Sequence, residues 1–311
     1  MRLKFSVGAL ASCVLSACVT PGLVATALES QPVSAPGVTG IYFPAKGTTP
    51  RPAILLFGGS EGGLGEGTQR DAALLQAAGF SVLQISFYRG EGQPQNLERV
   101  PLETFDAGLA WLKAQPDVDA ARIGMMGSSK GGEAALIVAS RHPELAAIVA
   151  GVPSSVSWQG INWARDGRVP EASWSLRGAP YPALPYGEWD NATGLYSLYA
   201  NGLKNAGAHP EAVIAVEKIG APVLLICGGM DQLWPSCPMS EQLKARAAAQ
   251  GGPDVHLLAY PEGGHAVVGA PAAAFDAATS QLGVYGGTAE ANQAARADSW
   301  PKVVAFFEGV L

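Results

Sequence analysis

Two runs of the chain share the spacing Gly-x-Ser-x-Gly: Gly58-Gly59-Ser60-Glu61-Gly62 and Gly127-Ser128-Ser129-Lys130-Gly131. Such a run can turn sharply from a strand into a helix and push the serine hydroxyl out as a nucleophile. With 39 glycines in 311 residues the spacing arises readily by chance, so the flanking residues must decide. Residues 122–126 (RIGMM) read as a strand entering the second run, and Gly132 to Ala139 read as a helix leaving it. The first run leads instead into Gly63-Leu64-Gly65-Glu66-Gly67, which cannot open a helix cleanly. Ser129 is therefore the expected nucleophile. The glycine-rich first run, after an earlier strand, is expected to supply backbone donors for an oxyanion, from Gly59 or Ser60 together with Lys130.

A serine nucleophile needs a base, and the base needs an orienting carboxylate, in the chain order Ser, acid, His. Of the four histidines, His142 and His209 each precede a proline, and His256 lies within a strand-like run. His265, in the loop Pro261-Glu262-Gly263-Gly264-His265, follows the last strand-like run and is the expected base. Asp231, in Gly228-Gly229-Met230-Asp231 just past the run 222–227, is the expected acid, since Asp254 opens a strand and Glu262 shares the histidine's loop.

These residues need a sheet whose carboxyl edge gathers them. Apolar runs at 53–57, 81–87, 122–126, 146–150, 222–227 and 254–260 read as strands buried on both faces. Helical stretches at 68–78, 102–114, 130–141 and 238–249 alternate with them, and a final helix over about 289–309 presents Trp300, Val303, Val304 and Phe307 to the sheet. Apolar residues at 102, 105, 109 and 112 share one helical face, so Trp111 reads as core. The alternation predicts an α/β-hydrolase fold, a mostly parallel sheet with helices on both faces. Residues 152–210 break the rhythm with four Trp and four Tyr and read as an aromatic-rich insertion, with Trp158 and Trp163 as candidate substrate-binding residues.

Composition sets the outer bounds. The chain is 48% hydrophobic and 15% charged, with a formal net charge of −6 and no basic block, so a nucleic-acid partner has no electrostatic support. Arg2 and Lys4 precede the small-residue apolar stretch 5–17, which is too short to span a bilayer and reads as a signal peptide over 1–17. It ends in Leu15-Ser16-Ala17-Cys18, similar to the bacterial lipobox, so Cys18 is the expected lipidation site and 18–37 a tether. The catalytic domain is expected over 38–311. Export is expected, either to the periplasm after a plain signal peptide cut near Ala17 or Ala25 or as a lipoprotein anchored in the outer membrane of a bacterium, with membrane association only through that anchor. Cys227 and Cys237 would then lie in an oxidising compartment, where a disulfide or two separate buried thiols are both open. No Cys/His cluster points to a metal, and no cofactor is expected.

The same residues resemble a known family, the catalytic domain of acyl-CoA thioesterases and bile acid-CoA:amino acid N-acyltransferases, and the broader dienelactone-hydrolase-like group. The similarity is carried by LLFGGSEGG (55–63), GSSKGGEAAL (127–136), GGMDQLWPSC (228–237), PEGGH (261–265) and the closing GGTAEANQAARADSWPKVVAFF (286–307). The resemblance implies the same nucleophile, acid and base: Ser129, Asp231 and His265. It also implies acyl transfer through a covalent intermediate. The family's amino-acid transferases use cysteine as nucleophile, so Ser129 favours transfer to water. Its thioesterases carry an N-terminal immunoglobulin-like sandwich for which this chain has no room. The expected activity is that of a serine hydrolase on small-molecule esters or thioesters, the apolar acyl group lodged against the insertion. A carboxylesterase, a dienelactone-type lactone hydrolase or a peptidase of the same fold would share the triad, and a non-catalytic surface lipoprotein would share only the fold.

Overall fold

A computed structural model of the chain describes residues 29–164, 166–272 and 281–311. Its centre is an eight-stranded sheet built from β1 (Gln31–Ala35), β2 (Val38–Phe43), β3 (Arg51–Phe57), β4 (Ser81–Ser86), β6 (Val118–Ser128), β7 (Ala147–Gly151), β10 (Val223–Gly228) and β11 (Val255–Tyr260). The strand order is β1-β2-β4-β3-β6-β7-β10-β11. The first two strands run antiparallel to their neighbours, and all the remaining pairs are parallel.

Burial on both faces explains the short, continuous apolar strands. In β3, Ala53, Leu55 and Phe57 enter one core while Ile54 and Leu56 enter the other, the period-two alternation of a strand. The first core is closed by α2 (Glu103–Lys113), α3 (Lys130–Ala139) and α5 (Ser236–Ala249), through Phe105, Leu109, Leu136 and Leu243. The second is closed by α1 (Glu66–Ala77) and the last helix, α6 (Ala289–Val310), through Leu75, Val303 and Phe307. Trp300 and Val304 pack against this second core, and Trp111 packs against the first, its ring edge-on to Tyr42 at 5.0 Å.

The chain enters the sheet earlier than expected. Gln31–Ala35 pairs with Val38–Phe43 as an antiparallel edge hairpin, so the expected tether over 18–37 is corrected at its carboxyl end. The cause is local: Gly37 takes φ 75° between two five- to six-residue extended runs, a conformation that glycine adopts without strain. The signal peptide and Cys18 lie outside the described residues. Among the described residues, no helix is long and apolar enough to cross a membrane.

The insertion is an ordered subdomain. It holds β8 (Trp174–Leu176), β9 (Ala179–Pro180) and α4 (Leu195–Leu203), and β8 pairs with β5 (Val100–Pro101) in a small second sheet. Its own core joins Val156, Trp158, Leu184 and Tyr199 to Trp234 and Met239, which follow β10 in the chain.

Candidate active site

Ser129 sits where β6 ends and α3 begins, with φ 56° and ψ −123°. An L-residue holds that strained backbone only when its surroundings over-determine it. Here the Ser129 N–H donates to the Gly151 carbonyl at 2.8 Å, tying the turn to the end of β7. The flanking glycines are required by close approach. A Cβ on Gly127 would come within 2.3 Å of the Gly131 carbonyl oxygen, and one on Gly131 within 2.0 Å of the Gly58 carbonyl oxygen.

The loops after β10 and β11 bring the other two residues to this serine. His265 Nε2 lies 2.9 Å from Ser129 Oγ, and His265 Nδ1 lies 2.9 Å from Asp231 Oδ2. A carboxylate only accepts, so Nδ1 donates to Asp231 and the neutral imidazole presents Nε2 as acceptor to the serine hydroxyl. The other oxygen of Asp231 accepts the N–H groups of Leu233 (2.9 Å) and Trp234 (3.2 Å). The Asp231 side chain is 1% exposed and that of His265 is 12% exposed. The imidazole packs edge-on to the rings of Trp234 and Tyr285, with centroids 5.8 and 6.3 Å away.

The histidine loop is pinned at several points. Gly264 N–H donates to Asn292 Oδ1, Ala270 N–H donates to Asp71 Oδ1, and Arg296 Nε donates to the Ala266 carbonyl. The Tyr285 carbonyl accepts from both His265 N–H and Gln232 N–H at 3.1 Å, joining the His265 loop to the Asp231 loop. Burial pushes the Asp71 carboxyl up to about 6, against the pull of the Ala270 N–H and the nearby Arg296 and Arg70. The Asp231 loop is also bracketed by a disulfide between Cys227 and Cys237.

The Ser-Lys-Gly-Gly-Glu run has a second job. Lys130 Nζ donates to Glu133 Oε2 and to Ser173 Oγ, both at 2.9 Å. Glu133 Oε1 accepts the Trp158 N–H and the Trp174 indole N–H, at 2.9 and 2.7 Å. Burial pushes the lysine down and the glutamate up, and each partner opposes the shift of the other. The pair thus clamps the insertion onto the helix that starts just after Ser129. Charge at these two positions was not assigned this role from sequence, because Ser173, Trp158 and Trp174 come from distant parts of the chain.

The expected oxyanion donors divide. Lys130 is the first residue of α3, where an N–H has no partner within the helix. Ser60 lines the Ser129 cavity, and the Tyr88 hydroxyl donates to its carbonyl. Gly59 is corrected: its N–H donates to Glu61 Oε1 at 2.8 Å, because the tight 59–62 turn folds that side chain back over it.

The two tryptophans also part. Trp163 is 41% exposed and lines the Ser129 cavity, about 410 Å³, with Arg89, Val152, Leu233 and Arg296. Trp158 is fully buried in the insertion's own core, stacked on Tyr186 at 5.9 Å with its indole N–H donated to Ser154, so its expected contact with substrate is corrected. Arg89, Arg296 and Tyr285 had no sequence signal. Arg89 carries φ 63°, a feature visible only in the fold. Among the described residues, no group of three or more His, Cys, Asp or Glu could hold a metal ion.

Residues 100–311 match the family described as BAAT / Acyl-CoA thioester hydrolase C terminal. Acyl-coenzyme A thioesterase 3 of Mus musculus is 27% identical over 294 residues, covering 93% of this chain and 65% of that protein. Acyl-coenzyme A thioesterase 1 of Homo sapiens is 27% identical over 301 residues, covering 90% and 65%. The chain thus spans 65% of the length of these curated relatives. The crystal structure of a dienelactone hydrolase-like promiscuous phosphotriesterase from metagenomic libraries shares the fold, with a TM-score of 0.56 and 18% identity over 91% of this chain and 98% of that one. By its matched residues this chain belongs to the BAAT / acyl-CoA thioester hydrolase C-terminal family, on an α/β-hydrolase fold.

Proposed function

We propose that the protein is a serine hydrolase that cleaves a small-molecule ester or thioester through an acyl-serine intermediate. The observation that carries this reading is the continuous relay from Ser129 Oγ through His265 to the buried Asp231 carboxylate. In acylation His265 Nε2 takes the Ser129 proton as Oγ attacks the acyl carbon, and Asp231 stabilises the resulting imidazolium. Backbone donors at Lys130 and Ser60 take the oxyanion. His265 then returns its proton to the leaving oxygen or sulfur. A water, deprotonated by the same nitrogen, releases the acid and restores the serine.

Acyl-CoA is the thioester suggested by the relatives' names. A fluorophosphonate probe should label the protein at Ser129, and Ser129→Ala should abolish both labelling and turnover. Matched acyl-CoAs, p-nitrophenyl esters, lactones and peptides then rank the substrate classes. A protein that takes no label and turns over none of the panel is not a hydrolase of this kind.

The cellular reading is a proposal resting on sequence: export through residues 1–17 and lipidation of Cys18, with the Cys227–Cys237 disulfide suited to an oxidising compartment. Metabolic lipid labelling that persists in Cys18→Ser would overturn the anchor.

A further inference from the structure

The loop after β3 stands beside the nucleophile. Gly59 packs against Ser129, and Ser60 and Glu61 line the same cavity as that serine. Most of the loop's backbone groups already have partners. The Gly59 N–H donates to Glu61 Oε1 at 2.8 Å, and the Gly59 carbonyl accepts the Gly62 N–H at 3.4 Å. The Ser60 carbonyl accepts the Tyr88 hydroxyl, and the Glu61 carbonyl accepts Arg89 Nη1 at 3.4 Å. Among the described residues, the N–H groups of Ser60, Glu61 and Lys130 meet no acceptor.

Tyr88 holds this loop from beneath. It follows β4, and its side chain is fully buried. Gly62, at φ 66°, lets the loop lie against the ring, since a Cβ there would come within 2.7 Å of Tyr88 Cε1. The Gly63 N–H donates to the Tyr88 carbonyl at 2.9 Å, a second tie between the two segments. Burial pushes the phenol up to about 12, so the hydroxyl stays protonated and remains a donor through the neutral range. The Trp163 and Arg89 side chains reach the same hydroxyl, so the insertion bears on the loop as well.

An oxyanion donor lowers the barrier when it already points at the developing charge, because no reorganisation is then needed during the reaction. A peptide group is planar, so a bond to one of its atoms orients the others. The Glu61 carboxylate fixes the peptide that carries the Gly59 N–H, and the Tyr88 hydroxyl fixes the one that carries the Ser60 carbonyl. The peptide that carries the Ser60 N–H lies between these two. With both neighbours held, it has little freedom to turn.

We propose that Tyr88 and Glu61 are positioning residues of the oxyanion hole, which together hold the Ser60 N–H toward the oxyanion before substrate arrives. This rests on the hydrolase reading above and adds how its second backbone donor is kept in place. Glu61 acts as an acceptor for the loop, and its negative charge is not what the reaction requires.

The test measures kcat and KM of the purified protein on p-nitrophenyl butyrate and butyryl-CoA, and its inhibition by a butyl trifluoromethyl ketone. Ser129 Oγ adds to the ketone carbon, its proton passes to His265, and the ketone oxygen becomes an anion where the substrate's would form. Tyr88→Phe keeps the ring and removes the bond. It should lower kcat by about 10- to 100-fold, with KM changed by less than about threefold. Binding of the ketone should weaken in parallel. Glu61→Ala should act in the same direction, while Glu61→Gln, which keeps an acceptor for the Gly59 N–H, should lose clearly less. The pH dependence of kcat/KM should stay in place in all three, because His265 and Asp231 keep their bonds.

An unchanged kcat in Tyr88→Phe or in Glu61→Ala overturns the part assigned to that residue. Loss through KM alone, or a displaced pH profile, overturns the positioning role, since neither follows from a misdirected oxyanion donor. Glu61→Gln as impaired as Glu61→Ala overturns the acceptor role in favour of the charge. Should Tyr88→Phe fail to fold, the Glu61 variants, at an exposed position, decide alone. An unmodified protein that turns over neither compound overturns the hydrolase reading and this one with it, a pattern distinct from an active enzyme whose variants are unaffected.

Discussion

Lys130 Nζ lies 2.9 Å from Glu133 Oε2, with the two side chains 2% and 0% exposed, in the first turn of the helix that follows Ser129. A buried pair of this kind is costly to break and much less costly to replace, because removing one partner strands the other charge. Lys130→Met should therefore destabilise the protein by about 3–5 kcal/mol. The double variant Lys130→Met/Glu133→Gln leaves no charge behind and keeps an acceptor for the Trp158 and Trp174 N–H groups. It should lose clearly less than the two single variants combined. Urea unfolding of all four proteins measures this; additive losses would mean that the two charges do not interact.

Asp231→Asn keeps an oxygen for the Leu233 and Trp234 N–H groups but turns an amide N–H toward His265 Nδ1. That favours the tautomer protonated at Nε2, which cannot accept the Ser129 proton. Turnover should fall by about 10⁴, with the thermal midpoint changed by only a few degrees. A large loss of stability would show that Asp231 chiefly holds its loop together.

A Cβ at position 59 would lie 2.9 Å from Ser129 Cβ and 3.0 Å from the Ser128 carbonyl oxygen. Gly59→Ala should push the nucleophile out of line and lower kcat by about 10²-fold. Fluorophosphonate labelling should slow in parallel. An unaltered labelling rate would show that the 58–62 loop yields without moving Ser129.

Asp71 links stability to pH. Its folded-state value of about 6 stands above the ordinary 3.8, so across that interval the folded chain holds a proton that the unfolded chain has released. Stability from this group is present below pH ~4 and is lost as pH rises through about 6, by roughly 2–3 kcal/mol in all. Asp71→Asn keeps the acceptor for Ala270 N–H without the buried charge. It should stabilise the protein at pH 7, match it near pH 4, and flatten the dependence between. Thermal unfolding at several pH values reads this directly, and destabilisation at pH 7 would show that the carboxylate is needed by Arg296 and Arg70.

Much of the molecule was legible before folding, for reasons that differ by region. The strands of the sheet's centre are buried on both faces, so β3, β7 and β10 each read as a largely apolar run of the right length, and β4 as one interrupted by Gln84. The hairpin of β1 and β2 did not, because a sheet-edge strand such as Gln31–Ala35, with only Val33 buried, carries little hydrophobic signal. Trp158 and Trp163 show the limit within the insertion. Both are aromatic and five residues apart, yet one is core and the other lines the Ser129 cavity, since an insertion of this size must also bury an interior of its own.

The sequence by itself singled out Ser129, Asp231 and His265 as the expected nucleophile, acid and base, because chain order and position just after a strand are local properties, and the fold brings the three within hydrogen-bond reach. Only the tertiary structure decided what surrounds them. Arg89, Arg296 and Tyr285 reach the Ser129 cavity from separate elements, Glu61 takes the Gly59 N–H by a turn, and Lys130 finds Glu133 and Ser173 in a closed interior. Apart from the local pairs Gly59–Glu61 and Lys130–Glu133, these contacts join residues far apart in the chain, and their partners are chosen by packing, which no short run of residues encodes.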